Sequence, residues 1–273
     1  MEPIKFIHLT DTHMNAPQTE GHFAPFKLAD KVKQVFRHVQ QYRHNPSFVI
    51  ITGDLSHEGN TEDYEYIRSV VDEGAALLGV PVYVVLGNHD HRAPFREGFL
   101  HEEPSEQAYY YSHNIQGLRL IGLNSQVAGQ HHGMIDEEQL QWLRDELSVP
   151  AEKGTIVALH HPLLEINGMP SEHVLSNREA LGDVLQGTDV VGIVAGHVHM
   201  HNVGTYKGIC SVAATGTAFG GALADEEHYS MVDVCSYNVV SVLSEGVTVQ
   251  TVVMPGLQEE YVRFPVALLA AQH

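Results

Sequence analysis

The stretch VPVYVVLGNHD, residues 80–90, places an apolar run of strand length directly before an amide, an imidazole and a carboxylate. An apolar run without alternation is typical of a strand covered on both faces, as in a parallel sheet between helices. Asn88, His89 and Asp90 therefore follow the point at which such a strand leaves the core. Their side chains are of the kinds that bind metal ions, so the stretch predicts chemistry at the end of a buried strand.

Four more predicted strands end in the same way. The residues that follow them are Asp11 and His13 in LTDTH, Asp54 in ITGDLSHEG, His160 and His161 in ALHHP, and His197 and His199 in AGHVH. Because ligands of open α/β sheets bind beyond the carboxyl ends of the strands, the five polar ends predict one shared site. Gly53, Gly87 and Gly196 accompany these residues, and a glycine there lets the backbone turn tightly and approach a bound ion.

The donor atoms in this set are carboxylate and amide oxygens together with imidazole nitrogens. They suit Zn, Mn, Fe or Co, and they suit neither calcium nor a thiolate cluster. Histidine is the commonest metal ligand, and the chain contains 20 histidines. The pattern therefore predicts a transition-metal site at the carboxyl ends of the strands.

Strand patterns alternate with helical patterns along most of the chain. We predict strands over 4–9, 47–53, 80–87, 118–125, 154–161 and 190–197, and helices over 27–43, 60–79, 136–147 and 176–187. Asn60 is expected to cap its helix, Ser176 and Glu179 to form a capping box, and Gly187 to end the last helix. The chain contains no linker and no repeat, so we expect a single domain over 1–273.

After about residue 205 the pattern becomes β-rich. The segments YSMVDV, NVVSVLS and VTVQTVV are typical of strands, and SEG at 244–246 predicts a hairpin turn. These strands require a second sheet or the far edge of a mixed one. The prediction is an α/β layered sandwich with a β-rich C-terminal third.

Composition excludes some classes of protein. Acidic residues outnumber basic ones by 34 to 15, a formal charge of −19, which argues against a partner that is a nucleic-acid polymer. Cys210 and Cys235 form no CxxC pair, so a reduced, cytoplasmic location is expected. The N-terminus has no signal-peptide pattern, and no apolar run approaches the roughly 20 residues of a membrane span.

The motif series DxH, GD, GNHD, HH and GHxH resembles that of the calcineurin-like metallophosphoesterases. The stretches VAGQHHGMIDEEQLQWL, GTIVALHHP and ALGDVLQGTDVVGIVAGHVH are similar to the class III cyclic nucleotide phosphodiesterase branch, which has glycerophosphodiesterase relatives. The resemblance runs from residue 4 to about residue 217. It implies a layered α/β/β/α sandwich of two mixed β-sheets.

The resemblance also implies a ligand set for two divalent or trivalent transition-metal ions. One ion would be held by Asp11, His13 and His199, the other by Asn88, His160 and His197, and both by Asp54. A hydroxide that bridges the ions would attack phosphorus in line with the leaving group. His89 would contact the phosphoryl oxygens or the leaving group as catalytic and substrate-binding residue, and Asp90 would orient it.

The implied activity is hydrolysis of small phosphodiesters, with 3′,5′-cAMP first and 2′,3′-cyclic nucleotides or glycerophosphodiesters as alternatives. A phosphomonoesterase of the protein-phosphatase type would carry GDxxDRG, where this chain has GDLSHEG without the arginine. The negative charge argues against a nuclease of the superfamily, and a non-catalytic scaffold should have lost ligands that are all present here. A homodimer is expected only by analogy with family members.

Four residues near the motifs keep a second interpretation, and His57 could line the pocket. His161 is expected either to make a structural hydrogen bond or to support the metal ligands by hydrogen bonding to them. For Arg92 a salt bridge with Glu97 or another acid is favoured over phosphate contact. His131 and His132 are expected in an exposed loop, with substrate contact as the alternative. No role is predicted for His57.

Overall fold

Two mixed β-sheets pack face to face in the computed structural model, which describes residues 3–19, 23, 26–225, 227–255 and 259–270. The strands are β1 (Ile4–Leu9), β2 (Phe48–Thr52), β3 (Val82–Val85), β4 (Tyr111–Ile115), β5 (Leu118–Gly122), β6 (Thr155–Ala158), β7 (Val190–Ala195), β8 (Asn202–Tyr206), β9 (Ile209–Ala213), β10 (Gly220–Leu223), β11 (His228–Val232), β12 (Cys235–Leu243), β13 (Gly246–Met254) and β14 (Glu260–Pro265). The helices are α1 (Leu28–Gln41), α2 (Thr61–Leu78), α3 (Arg92–Phe95), α4 (Glu137–Glu146), α5 (Arg178–Leu185) and α6 (Ala267–Ala270).

The first sheet has the strand order β13-β12-β1-β2-β3, and the second has the order β4-β5-β6-β7-β9-β8. Strands β1, β2 and β3 run parallel, as do β5, β6, β7 and β9, while β12, β13, β4 and β8 are antiparallel additions at the edges. Strands β10, β11 and β14 form a separate antiparallel sheet. The carboxyl ends of the central strands in both large sheets therefore mark where a shared site can form.

Three layers of apolar side chains hold the sandwich together. Phe6, Phe48 and Ile50 lie between the two sheets with Leu120 and Ile156. The alternate residues of the same strands pack against α1 and α2 on one outer face and against α4 and α5 on the other. The order of layers is α/β/β/α, which confirms the predicted sandwich.

The C-terminal strands take both of the arrangements that the sequence left open. The hairpin β12–β13 extends the first sheet, with Leu243 opposite Gly246 across the predicted turn. Strands β10, β11 and β14 form the small third sheet. None of the described helices is long and apolar enough to cross a bilayer.

Local predictions differ from the structure mainly at element ends. Asn60 caps α2 as predicted, because its side chain accepts a hydrogen bond from the Asp63 amide and Asp63 reciprocates. The capping box at Ser176 is wrong, since the Ser176 hydroxyl donates to the carbonyl of Gly133 and α5 begins only at Arg178. The strands predicted over 118–125 and 154–161 end at Gly122 and Ala158, where the chain turns out of the sheet.

The stacked pair Phe6–Phe48 gives a test of the layer between the sheets. Both side chains are fully buried, and their ring centroids are 4.7 Å apart. We expect Phe48→Ala to lower the free energy of unfolding by about 3–5 kcal/mol, because it leaves a cavity that the rigid layer cannot fill. Urea denaturation measures this, with the exposed Val253→Ala as the control. A loss below about 1 kcal/mol for Phe48→Ala would contradict the described packing.

Candidate metal centre

The five polar turns predicted from the sequence meet at one end of the sandwich. Three follow β1, β2 and β3 of the first sheet, and two follow β6 and β7 of the second. Hydrogen bonds join the turns to one another: the His13 amide donates to the Asp54 carbonyl at 2.9 Å, and the Gly196 amide donates to the His160 carbonyl at 2.9 Å. The His197 amide donates to the Asp11 carboxylate at 3.0 Å and so links the two sheets.

One group of donor atoms comes from Asp11, His13 and His199, whose ligating atoms lie within 4.8 Å of one another. The two Nε2 atoms of His13 and His199 are 3.2 Å apart, and Nε2 of His199 is 3.3 Å from Asp11 Oδ1. Asp54 Oδ2 approaches His13 Nε2 to 3.7 Å. All four side chains are almost completely buried. Their donor atoms therefore surround a single point.

A second group faces the same Asp54 oxygen from the other side. His160 Nε2 lies 3.3 Å from Asp54 Oδ2 and 3.1 Å from Asn88 Oδ1. His197 Nδ1 lies 3.0 Å from the same Asn88 oxygen. The structure thus brings all seven predicted ligand positions together in two adjoining groups, with Asp54 between them.

Two of the imidazoles are held through Nδ1, so that Nε2 is the nitrogen that faces the donor group. Nδ1 of His160 donates to the Thr52 carbonyl at 2.8 Å, and Nδ1 of His199 donates to the Phe219 carbonyl at 2.9 Å. A carbonyl oxygen can only accept, so the proton is on Nδ1. In the neutral ring the lone pair is then on Nε2, which points into the donor group.

Electrostatics favour the neutral form for two of the imidazoles and the protonated form for a third. Burial lowers the pKa of His13 and of His197 well below the usual value, so both are neutral at neutral pH, as ligation requires. Burial would also lower the pKa of His160, but the Asp54 carboxylate outweighs it and raises the pKa to about 9. Asp54 thus attracts positive charge to this point. Oxygen and imidazole donors around buried carboxylates fit two transition-metal ions, and they do not fit calcium.

The backbone of the site is held in a costly conformation. Five of the seven residues have positive φ angles: Asp11 (51°), His13 (43°), Asp54 (47°), His197 (76°) and His199 (54°). A non-glycine residue in this region costs on the order of 1–3 kcal/mol and is retained mainly at functional sites. Gly87 allows the backbone to approach the Asp54 carboxylate closely, since a Cβ there would lie 2.1 Å from Asp54 Oδ1. The approach to a bound ion stays a prediction.

His89 lies beside the donor groups and lines the pocket above them. Its Nδ1 is 3.0 Å from Glu58 Oε1, and the other Glu58 oxygen contacts His91 Nε2 at 2.9 Å. Burial would lower the pKa of His89, but Asp54 and Glu58 together raise it above the ordinary value of histidine. Glu58 therefore occupies the position of the orienting carboxylate.

The prediction that Asp90 orients His89 is wrong. The Asp90 carboxylate is fully buried and accepts hydrogen bonds from the amides of Leu55, Ser56 and Gly87. Its Oδ1 also accepts from the Tyr64 hydroxyl at 2.9 Å. Burial and the nearby Asp54 raise the pKa of Asp90 to about 6. Asp90 thus joins the turns after β2 and β3, and it acts on the site through the backbone.

The structure shows the contacts of the residues for which the sequence allowed two interpretations. His161 makes structural hydrogen bonds, with Nδ1 2.8 Å from Ser125 Oγ and Nε2 donating to the His131 carbonyl at 3.0 Å. The salt bridge predicted for Arg92 is wrong, because its described donors reach neutral oxygens, those of Gln126, Asn124 and the Glu106 carbonyl.

The exposure predicted for His131 and His132 is also not observed. His131 and His132 are half-buried, and His131 Nδ1 lies 3.1 Å from Asn88 Nδ2. His57 lines the pocket, with its ring 4.6 Å from that of His89.

Four residues at the site were missed from the sequence: Glu58, Tyr64, His173 and Phe219. The Phe219 ring stacks on His199 at 4.2 Å, and His173 Nδ1 is 3.2 Å from His197 Nε2. Glu58 lies four residues after Asp54 of the GD motif and could have been considered on that ground. The other three come from distant parts of the chain, and no local pattern marks them.

A pocket of about 240 Å³ opens over the donor groups. Its polar lining residues include Asp54, Asn88, His89, His131 and His173. The apolar wall of the pocket consists of Phe23, Met169 and Phe219 and, from the C-terminal part of the chain, Tyr229, Met231, Phe264, Leu268 and Leu269. A small ligand in the pocket would therefore meet both the donor groups and apolar side chains.

Known proteins are similar to this chain over most of its length. The family model for calcineurin-like phosphoesterases matches residues 4–201. A Mycobacterium tuberculosis protein named cAMP/cGMP dual specificity phosphodiesterase is 38% identical over 214 residues, covering 78% of this chain and 67% of that protein. An Arcobacter nitrofigilis protein named probable glycerophosphodiester phosphodiesterase is 30% identical, covering 71% of each chain.

Solved structures agree in fold. A dimetal phosphatase from Danio rerio superposes with a TM-score of 0.55 at 16% identity, and the match covers 92% of this chain and 98% of that one. At this identity the likeness concerns the arrangement of strands and helices, and it carries no information on the substrate.

Gly196 gives a test of how closely the backbone must approach the donor groups. A Cβ there would lie 1.8 Å from Thr10 Oγ1 and 2.5 Å from Asp11 Oδ2. We expect Gly196→Ala to displace Asp11 and to weaken metal binding by at least about tenfold. Elemental analysis after reconstitution with Mn²⁺ measures this.

The matched control is Gly204→Ala, where the added Cβ would meet only the flexible end of Leu164. Equal metal content in the two variants would contradict the predicted role of Gly196.

Proposed function

We propose a substrate class and residue roles for this chain, which belongs to the calcineurin-like phosphoesterase family and is a metal-dependent phosphodiester hydrolase. Its substrates are proposed to be small phosphodiesters, with cyclic nucleotides such as 3′,5′-cAMP first. The observation that carries this proposal is the pocket, which joins the donor groups to an apolar, partly aromatic wall.

The ligands proposed for one ion are Asp11, His13 and His199, and those for the other are Asn88, His160 and His197, with Asp54 shared. The convergence of donor atoms around Asp54 Oδ2 supports this assignment. The ions are transition metals such as Mn, Fe, Zn or Co. Two such ions lower the pKa of a bound water towards neutrality and offset the negative charge of a phosphodiester.

His89 is proposed as the residue that donates a proton or a hydrogen bond to the leaving group. Glu58 holds Nδ1, so Nε2 is the ring nitrogen that remains for the substrate. A proton delivered at this atom would neutralise the alkoxide that departs from phosphorus. Glu58 is then a positioning residue, and Asp90 keeps the Asn88–His89 turn in place through the amides that it binds.

The apolar wall favours a substrate with a flat, weakly polar group. A nucleobase can pack on Phe264 and Met231, whereas the glycerol of a glycerophosphodiester offers no comparable surface. The relative named cAMP/cGMP dual specificity phosphodiesterase supports the same choice, and the relative named glycerophosphodiester phosphodiesterase keeps that activity as the second candidate. A homodimer and a cytoplasmic location stay predictions.

The substrate proposal is tested by comparing kcat/KM on the Mn²⁺-reconstituted protein. The panel is 3′,5′-cAMP, 2′,3′-cAMP, glycerophosphocholine and bis-p-nitrophenyl phosphate, with p-nitrophenyl phosphate as the monoester. We expect 3′,5′-cAMP to exceed glycerophosphocholine by at least about tenfold, since an aromatic–base contact contributes about 1–3 kcal/mol. A preference for the monoester would overturn the assignment as a phosphodiesterase.

A variant of the wall makes this comparison sharper. We expect Phe264→Ala to raise KM for 3′,5′-cAMP by about tenfold and to leave glycerophosphocholine hydrolysis within about twofold. Val253→Ala, on an exposed position outside the pocket, is the control. Equal effects of Phe264→Ala on both substrates would contradict a base-binding wall.

The proposed role of Glu58 has its own signature. We expect Glu58→Ala to lower kcat by about 10- to 100-fold for 3′,5′-cAMP, whose alkoxide leaving group needs a proton. For bis-p-nitrophenyl phosphate, whose leaving group is stable as an anion, kcat should change by less than about threefold. Glu65→Ala on the exposed face of α2 is the control. A uniform loss on both substrates would show that Glu58 is needed only for the shape of the site.

A further inference from the structure

We propose that His131 and His173 are positioning residues that orient two ligands of one metal ion and so set the affinity of that ion's site. This inference rests on the proposed ligand assignment, in which Asn88, His160 and His197 hold one ion. Neither histidine belongs to the motifs at the strand ends. They lie in the loops 126–134 and 162–177, which border the pocket.

His131 fixes the direction of the Asn88 amide. Asn88 can bind a cation only through Oδ1, which must therefore face His160 and His197. Nδ2 then points the other way and needs an acceptor, and His131 Nδ1 lies 3.1 Å from it. An amide turned by 180° would place two N–H groups towards the ion, so the acceptor at His131 selects the binding orientation.

His173 acts in the same way on His197. His197 directs Nδ1 towards Asn88 Oδ1, so Nδ1 is the nitrogen that would bind the ion in the proposed assignment. A neutral ring that ligates through Nδ1 carries its proton on Nε2. His173 Nδ1 is 3.2 Å from that Nε2 and accepts the hydrogen bond. Nε2 of His173 has no hydrogen-bond partner among the described residues, so the contact with His197 is the bond that fixes this ring.

The two loops support each other. His161 Nε2 donates to the His131 carbonyl, which anchors the first loop to the end of β6. The Ser176 amide and hydroxyl both donate to the Gly133 carbonyl, at 2.8 and 2.7 Å, and join the second loop to the first. The described contacts of the other ion's ligands follow a different scheme, because the Phe219 carbonyl and ring hold His199.

The test is a titration of the full-length, metal-depleted protein with Mn²⁺, followed by calorimetry and by counting bound ions. We expect wild type to bind two ions. His131→Phe and His173→Phe should each weaken one site by about 10- to 100-fold and leave the other within about twofold, as expected when a ligand loses its hydrogen-bond partner. His131→Gln and His173→Gln, which keep an acceptor oxygen, should recover most of the affinity.

Two controls separate the possible causes. His132→Phe changes a neighbour for which the described residues offer no hydrogen bond, and it should bind as wild type does. Asn88→Ala removes a proposed ligand and should weaken the same site as His131→Phe. Urea denaturation of each metal-depleted variant shows whether the fold itself has changed.

The outcomes are distinguishable. If Asn88→Ala weakens one site and neither phenylalanine variant does, this inference is overturned and the ligand assignment stands. If Asn88→Ala also leaves both affinities unchanged, the ligand assignment fails with it. Equal weakening of both sites together with a lower free energy of unfolding would assign His131 and His173 a structural role and would overturn the positioning role.

Discussion

The Asp54 carboxylate is the group on which the arrangement of the site depends. It is almost completely buried at the end of β2, and one of its oxygens faces both groups of donor atoms. A buried carboxylate is costly unless positive charge or hydrogen-bond donors surround it. Here the His89 amide donates to Oδ1, and the His160 ring, with its raised pKa, faces Oδ2. The glycine at position 87 allows this approach, because any side chain there would occupy the space of the carboxylate.

The two sheets contribute to the site in different ways. The first sheet supplies Asp11, Asp54 and Asn88, which are oxygen donors, together with His13. The second sheet supplies imidazoles only: His160 follows β6, and His197 and His199 follow β7. Backbone carbonyls hold His160 and His199, whereas side chains from loops hold Asn88 and His197. Two of these proposed ligands are therefore held by backbone carbonyls, and the other two by side chains from two loops.

The sequence predicted the fold and the convergence of the polar strand ends because both follow from local patterns. A buried strand has a continuous apolar run, and its polar end is visible in the next few residues, as in ALHHP. The roles of Asp90, Arg92 and His131 could not be predicted in this way, since each depends on a partner far along the chain, at Tyr64, Gln126 and Asn88. The same holds for Ser176, which has the sequence of a helix cap but bonds a loop 43 residues away. The short edge strands β4, β8 and β10 were missed because they have too few apolar residues to produce a pattern.

The pairing of β1 in the first sheet makes the C-terminal hairpin β12–β13 necessary for a closed strand edge. Strand β1 is central and pairs with β2 on one side and with β12 on the other, so residues 4 and 242 are partners. A fragment that stopped at residue 201, where the family match ends, would retain every proposed ligand. It would also leave β1 as an open edge, with unpaired amides and carbonyls next to Ile4 and Phe6. Exposed apolar edges of this kind pair with other chains and aggregate. The hairpin β12–β13 is thus the part that keeps this ligand-bearing sheet from associating with its own copies.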